Sequence, residues 1–278
     1  MRVANLAGRA VLLTGGGAID IGKAGGGRLP ADPRALFERW EELRSWSTDA
    51  EPVPFEEADL EAPAPAPRQV FAIGVNYRDH AEESKIEPGS RPPVFTKFAS
   101  CLTGQDAVVT LPEGGLTDWE AELVVVIGRY GYAVRAAEAW EHVAGLTVGQ
   151  DLSERITQLS PPQPPQFSLG KSYPGFGPTG PWLVTPDEFD DPGDLEIACY
   201  LNGERVQHAR TSQMIFSVPE LIEKLSAVTP LLPGDVIFTG TPGGIGGTRT
   251  PPRFLAPGER LHSTIEGIGT LRTTFAGA

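Results

Sequence analysis

The chain has 278 residues, with 23 Lys and Arg against 36 Asp and Glu for a formal net charge of −13. That charge repels a phosphate backbone over most of the surface, so nucleic acid is excluded as an expected partner. The length allows one large domain, or a large one with a small one, and 33 Gly with 27 Pro make turns frequent and helices few, which favours an α+β, mainly β fold.

Met1 to Thr14 is a patchy apolar run interrupted by Asn5, Gly8 and Arg9. It lacks the unbroken core of a signal peptide and reads as the first strand or two. No apolar stretch approaches the ~18 residues needed to span a bilayer, so a soluble, cytoplasmic protein is expected. Gly17-Ala-Ile-Asp-Ile-Gly22-Lys23 matches the spacing of a phosphate-binding loop, but Ala24 stands where Ser or Thr must reach Mg²⁺, so a turn is the better reading. An amphipathic helix follows from about Pro33 to Trp46. The alternation Ala62-Pro-Ala-Pro-Ala-Pro67 reads as a stiff extended linker, dividing a small N-terminal α+β domain, 1–62, from a main domain, 68–278.

After this point strands predominate: Val70 to Gly74, Glu120 to Ile127, Leu195 to Leu201, Asp235 to Thr239 and Thr270 to Phe275. Asn202-Gly203 is a hairpin signal. Helices are expected at Asp79 to Lys85, Ala136 to Glu141, Leu152 to Leu159 and Val218 to Ala227, too irregularly spaced for a series of βαβ units. Cys101 and Cys199 sit in apolar contexts without metal-binding spacing and read as buried thiols.

In Trp119-Glu-Ala-Glu-Leu-Val-Val-Val-Ile127, the period of two puts Glu120 and Glu122 on one face with Val124 and Val126. Paired carboxylates on a strand buried on both sides need a cation or protons. A hard divalent ion would serve; taken alone, the segment fits equally a sheet edge with both glutamates in water. Asp151 tips the balance, because it ends the strand Gly145 to Gln150 and begins a segment read as helical until Pro161-Pro162. On such a helix Asp151, Arg155 and Gln158 form one stripe, offering a ligand, a cation for a substrate carboxylate and an amide. An ordinary ion pair between Asp151 and Arg155 is the alternative. Lys171 lies on a loop framed by Pro161, Pro162, Pro164, Pro165 and Pro174, which suggests a placed cation.

The sequence resembles the fumarylacetoacetate hydrolase superfamily, with features of its acylpyruvase-like branch, from Phe71 to the C-terminus. The resemblance rests on Gly74-Val-Asn-Tyr-Arg-Asp-His-Ala-Glu-Glu83, Trp119-Glu-Ala-Glu-Leu, Gln150-Asp-Leu-Ser-Glu-Arg155, Gly170-Lys-Ser172, Gly180-Pro-Trp-Leu-Val-Thr185 and Leu232-Pro-Gly-Asp-Val-Ile-Phe-Thr-Gly-Thr-Pro-Gly243. It implies a mixed β-sheet roll or barrel with a small N-terminal domain, a homodimer, and Mg²⁺, with Mn²⁺ or Ca²⁺ as substitutes, on Glu120, Glu122 and Asp151. By the same resemblance His80, Glu83 and Lys171 are catalytic, and Arg155, Gln158 and Thr241 contact a small 2-oxo acid. The expected activity is hydrolysis of a C–C bond in an acylpyruvate or fumarylpyruvate type of substrate through an enolate; oxaloacetate decarboxylation and isomerisation or hydration of hydroxymuconate-type acids are the alternatives. A non-catalytic protein keeping the fold would lack a ligand or a base, and none is missing. Two residues depart from the pattern: Glu154 where a small residue is usual, and Leu169 where a cation often precedes the Gly-Lys pair, which hints at a more apolar distal substrate group.

Overall fold

The computed structural model describes residues 1–161 and 164–278. Its largest element is a mixed sheet of eleven strands. The main path runs Gly17–Asp20, Arg9–Thr14, Arg2–Leu6, Gly177–Val184, Val143–Gln150, Ala121–Ile127, Val236–Phe238, Val70–Ile73 and Val94–Thr96. A second sheet of five contains Glu204–Arg210, Glu196–Leu201, Arg260–Ile265, Gly269–Ala276 and Ala107–Thr110. Of the two forms expected, roll and barrel, the sheet takes the open one. Closure needs a continuous staggered ladder, and the terminal strands have only four and three residues.

Ala121–Ile127 lies in the middle of the large sheet and is buried throughout. Its alternation separates two cores, as a strand covered on both faces requires. Ala121, Leu123, Val125 and Ile127 join the larger cluster with the five-stranded sheet. Val124 and Val126 point the other way and pack with Leu36, Phe37, Trp40 and Leu43 from the N-terminal region. The first strand, Arg2–Leu6, hydrogen-bonds along Gly177–Val184 and extends the same sheet. Ala62 and Ala64 are buried, and Asn5 Nδ2 donates to the Ala62 carbonyl at 3.0 Å, so the Ala/Pro stretch packs against the body. The segment with phosphate-loop spacing forms the edge strand Gly17–Asp20 and a short helix capped by Asp20.

Several elements follow the local chemistry. Asp32 caps the start of the N-terminal helical region with Pro33 in its first turn, and three short pieces, Pro33–Leu36, Phe37–Arg39 and Trp40–Arg44, replace the single helix expected. Asn202 and Gly203 both adopt positive φ, 51° and 89°, in the two-residue turn between Leu201 and Glu204, which matches the right-handed twist of the flanking strands. Val218–Ser226 starts in a capping box between Ser217 and Glu220.

The helix expected from Leu152 begins only at Arg155. Ser153 and Glu154 are extended and pair with Thr117 and Asp118, and Glu154 caps the helix by accepting from Ile156 N and Thr157 N. The helix ends at Leu159; of its expected stop, Pro162 lies outside the described residues. No helix among the described residues is long and apolar enough to cross a membrane.

Candidate active site

Antiparallel pairing brings the three carboxylates together. Ala121 faces Gln150 across the ladder, so Glu120 and Asp151 lie just beyond the paired ends, where Asp151 N donates to the Glu120 carbonyl at 2.9 Å. Glu122 sits one pleat inward on the face of Glu120. Carboxylate oxygens of Glu120, Glu122 and Asp151 all lie within 4.8 Å of one another, and all three side chains are buried.

Three cations surround them. Lys171 Nζ contacts Glu120 Oε2 at 2.6 Å and Asp151 Oδ2 at 2.5 Å. Lys97 Nζ binds Asp151 Oδ1 at 2.7 Å, the Phe176 carbonyl at 3.1 Å and the Lys171 carbonyl. Arg155 reaches Asp118 Oδ2 at 2.7 Å, Glu120 Oε1 at 2.8 Å and Gln158 Oε1 at 2.8 Å. The expected stripe of Asp151, Arg155 and Gln158 does not form. The extended Ser153 and Glu154 put Asp151 outside the helix, and Arg155 pairs with Asp118 and Glu120.

With Asp118 included, four carboxylates meet three cations, and the unmatched charge falls on Glu122, which accepts one hydrogen bond, from Gly240 N at 2.7 Å. Burial pushes the Glu122 carboxyl well up, with Asp151 and Glu120 adding repulsion. Burial acts in the same sense on Glu120, but Lys171 and Arg155 outweigh it and hold that group below the usual carboxylate range. Gly240 has φ +98°, and a Cβ there would meet the Asn76 Cβ at 2.6 Å, so glycine is what lets this backbone approach. The donor set is oxygen only and carries excess negative charge. It fits a hard divalent cation such as Mg²⁺, Mn²⁺ or Ca²⁺.

His80 and Glu83 lie one turn apart on the helix Arg78–Glu83, with Nδ1 and Oε1 2.8 Å apart. Glu83 Oε2 also accepts from Gly244 N at 2.9 Å. Burial acts to raise the Glu83 carboxyl, yet the hydrogen bonds from His80 and Gly244 prevail and it stays ionised more readily than a free glutamate. A cavity of about 440 Å³ gathers His80, Glu120, Arg155, Gln158, Lys171 and Thr241 on its wall. Thr241 Oγ1 is already engaged, donating to the Ala121 carbonyl at 2.9 Å and accepting from Gln207 Nε2 at 2.7 Å. Glu154, which departs from the family pattern, is a helix cap, and Leu169 lies outside the cavity wall that Phe167 helps to form.

Sequence reading assigned no role to Lys97 or Asp118. A lysine between Phe95 and Phe98 was the available sign of a buried cation. Asp118 sits two residues before Glu120, on the same alternation. Its carboxylate accepts from Trp119 N, Gly246 N and Gly247 N as well as Arg155, tying the glycine loop over the cavity to the carboxylate strand. Asp118→Asn should destabilise the protein by about 3–5 kcal/mol, the usual effect of removing one partner of a buried pair. Urea unfolding of the metal-free protein reads this directly, and a loss under about 1 kcal/mol would show that the clamp does not matter.

The buried carboxylate cluster, whose oxygens could hold a hard cation, meets the cavity wall at Glu120, and His80 lines the same wall with Glu83 bonded behind it. The chain belongs to the fumarylacetoacetate hydrolase family, whose C-terminal domain model matches residues 69–276. It is 39% identical over 266 residues to the mitochondrial oxaloacetate tautomerase FAHD2B of Bos taurus, covering 92% of this chain and 83% of that one. The Homo sapiens protein of the same name is 40% identical over 263 residues, with the same coverage. Among solved structures, a Mycobacterium smegmatis protein provisionally described as HpcE superposes with a TM-score of 0.95 at 52% identity, covering 100% of both chains. A Sphingobium maleylpyruvate hydrolase in complex with manganese(II) and pyruvate superposes with a TM-score of 0.80 at 28% identity, again over 100% of both chains.

Proposed function

We propose that this protein is a divalent-cation-dependent tautomerase of 2-oxo acids, moving a proton between carbon 3 and the 2-oxo oxygen. The observation that carries the reading is the His80–Glu83 pair, 2.8 Å apart, whose imidazole shares a cavity wall with Glu120, Lys171 and Arg155. Glu83 accepts from Nδ1–H, which fixes the ring tautomer and leaves Nε2 as the basic atom for substrate. Nε2 takes the proton from carbon 3, and the imidazolium so formed, stabilised by Glu83, returns it to oxygen. A divalent cation on Glu120, Glu122 and Asp151 would supply Lewis-acid stabilisation of negative charge developing on the substrate oxygens. Lys171 adds a second positive charge there. Of the five Arg155 N–H donors, four are committed to Asp118, Glu120 and Gln158, which leaves one at Nη1 for a substrate carboxylate.

The curated relatives named as oxaloacetate tautomerases favour this reading over the expected C–C hydrolase. Hydrolysis of an acylpyruvate or fumarylpyruvate remains the second reading, because water activated by His80 could attack a further carbonyl, and a maleylpyruvate hydrolase shares the fold. One experiment decides between them. Enol decay of 2-oxo acids, oxaloacetate included, is followed by ultraviolet absorbance with Mg²⁺ or Mn²⁺ and with excess chelator, and products are identified by chromatography. Tautomerisation predicts cation-dependent acceleration with the substrate skeleton intact. Pyruvate plus an acid as the products would establish hydrolysis instead, and no acceleration of any 2-oxo acid would overturn the proposal.

A further inference from the structure

We infer that the substrate carries an apolar, aromatic-sized group beyond carbon 3 rather than a second carboxylate. The inference rests on the tautomerase reading of the site and adds what the far half of the same cavity would accept.

Among the described residues the charged side chains on the cavity wall are His80, Glu120, Arg155 and Lys171, and the cationic ones are held there: His80 by Glu83, Lys171 by Glu120 and Asp151, and Arg155 by Asp118, Glu120 and Gln158, with one Arg155 Nη1 proton left for the substrate's own 1-carboxylate. The rest of the wall is mainly apolar, with Ile86, Phe95, Leu159, Phe167, Ile245 and Phe254, and its side-chain hydroxyls there are those of Ser84 and Thr248. Phe95 joins the two halves. Lys171 Nζ stands over its ring at 5.1 Å, and its other neighbour is Phe167, with centroids 5.7 Å apart in a tilted pair. A carboxylate placed against this wall would give up its hydration without meeting a cation, which is unfavourable. An aryl or branched alkyl group would gain, because Phe167 and Leu159 are 38% and 51% exposed and would be covered. The cavity of about 440 Å³ lies within the usual range of roughly 300–1,000 Å³ for small-molecule sites. A four-carbon dicarboxylate would occupy only its reaction end.

The test uses the full chain loaded with Mn²⁺. Oxaloacetate and 4-phenyl-2,4-dioxobutanoate are compared by kcat/KM for enol–keto interconversion, and their Kd values are measured by calorimetry. The phenyl compound should be favoured by about 10-fold or more in both, a margin of the size that hydrophobic pockets deliver. Phe167→Ala should lower its advantage over oxaloacetate by about 10-fold, and Phe167→Arg, by placing a cation on the wall, should reverse the preference. Circular dichroism checks that both variants are folded. Oxaloacetate equal or better in the wild type, or a preference unmoved by both substitutions, overturns the inference while leaving tautomerisation standing. Turnover of neither compound defeats the tautomerase reading, and the Kd ratio then still decides which distal group the cavity accepts.

Discussion

On the proposed mechanism His80→Ala should lower kcat for the tautomerisation of 2-oxo acids by about 10²–10⁴-fold, the usual worth of positioned acid–base catalysis, and should leave Mn²⁺ affinity near that of the wild type. The two effects separate because His80 is not among the clustered carboxylates; it lines the cavity and is held by Glu83. Glu83→Ala should act on the same step, through the ring tautomer. The double variant should therefore be little slower than His80→Ala, since an absent imidazole needs no orientation. Stopped-flow enol decay and Mn²⁺ titration measure both quantities on one preparation. An unchanged kcat in His80→Ala would remove the pair from the mechanism, and losses that multiply in the double variant would show that Glu83 acts independently.

The second large effect is on the cation. Glu122→Gln should weaken Mn²⁺ binding by more than the roughly 10–100-fold that follows when only an outer partner of a metal site is lost. The neutral amide keeps an oxygen for the Gly240 N–H but no longer offers a charged ligand. The same substitution removes the repulsion that Asp151 and Glu120 exert on Glu122, so the metal-free variant should melt no lower than wild type. This combination, lost binding with an intact fold, distinguishes a ligand from a structural residue. Wild-type Mn²⁺ affinity in Glu122→Gln would place the cation elsewhere, and a collapsed melting transition would mean that Glu122 holds the strand together.

Much of the site was legible in local pattern. The alternation through Glu120 to Ile127 put two carboxylates on one face with Val124 and Val126, and the strand does divide its side chains between two cores in that way. Asn202-Gly203 specified its turn because few residues tolerate the required positive φ. The family resemblance, not local pattern, pointed to His80, Glu83, Lys171, Arg155, Gln158 and Thr241, and all but Glu83 lie on the cavity wall, with Glu83 bonded to His80.

What local pattern could not supply is the identity of distant neighbours. Helical spacing put Asp151 on one stripe with Arg155 and Gln158, but pairing of Ser153 and Glu154 with Thr117 and Asp118 holds that segment extended, and a strand pairing of this kind is decided by residues far away in the chain. The phenylalanines beside Lys97 hinted at burial, but only the fold showed its partner, Asp151, 54 residues away, where burial and like charges demand a cation. The apolar far wall likewise joins Phe95 to Phe167 across 72 positions. Sequence periodicity determines which face a side chain takes, since that depends only on local backbone geometry; the tertiary structure alone decides what meets it there, because charge compensation and cavity lining are sums over segments that only folding brings together.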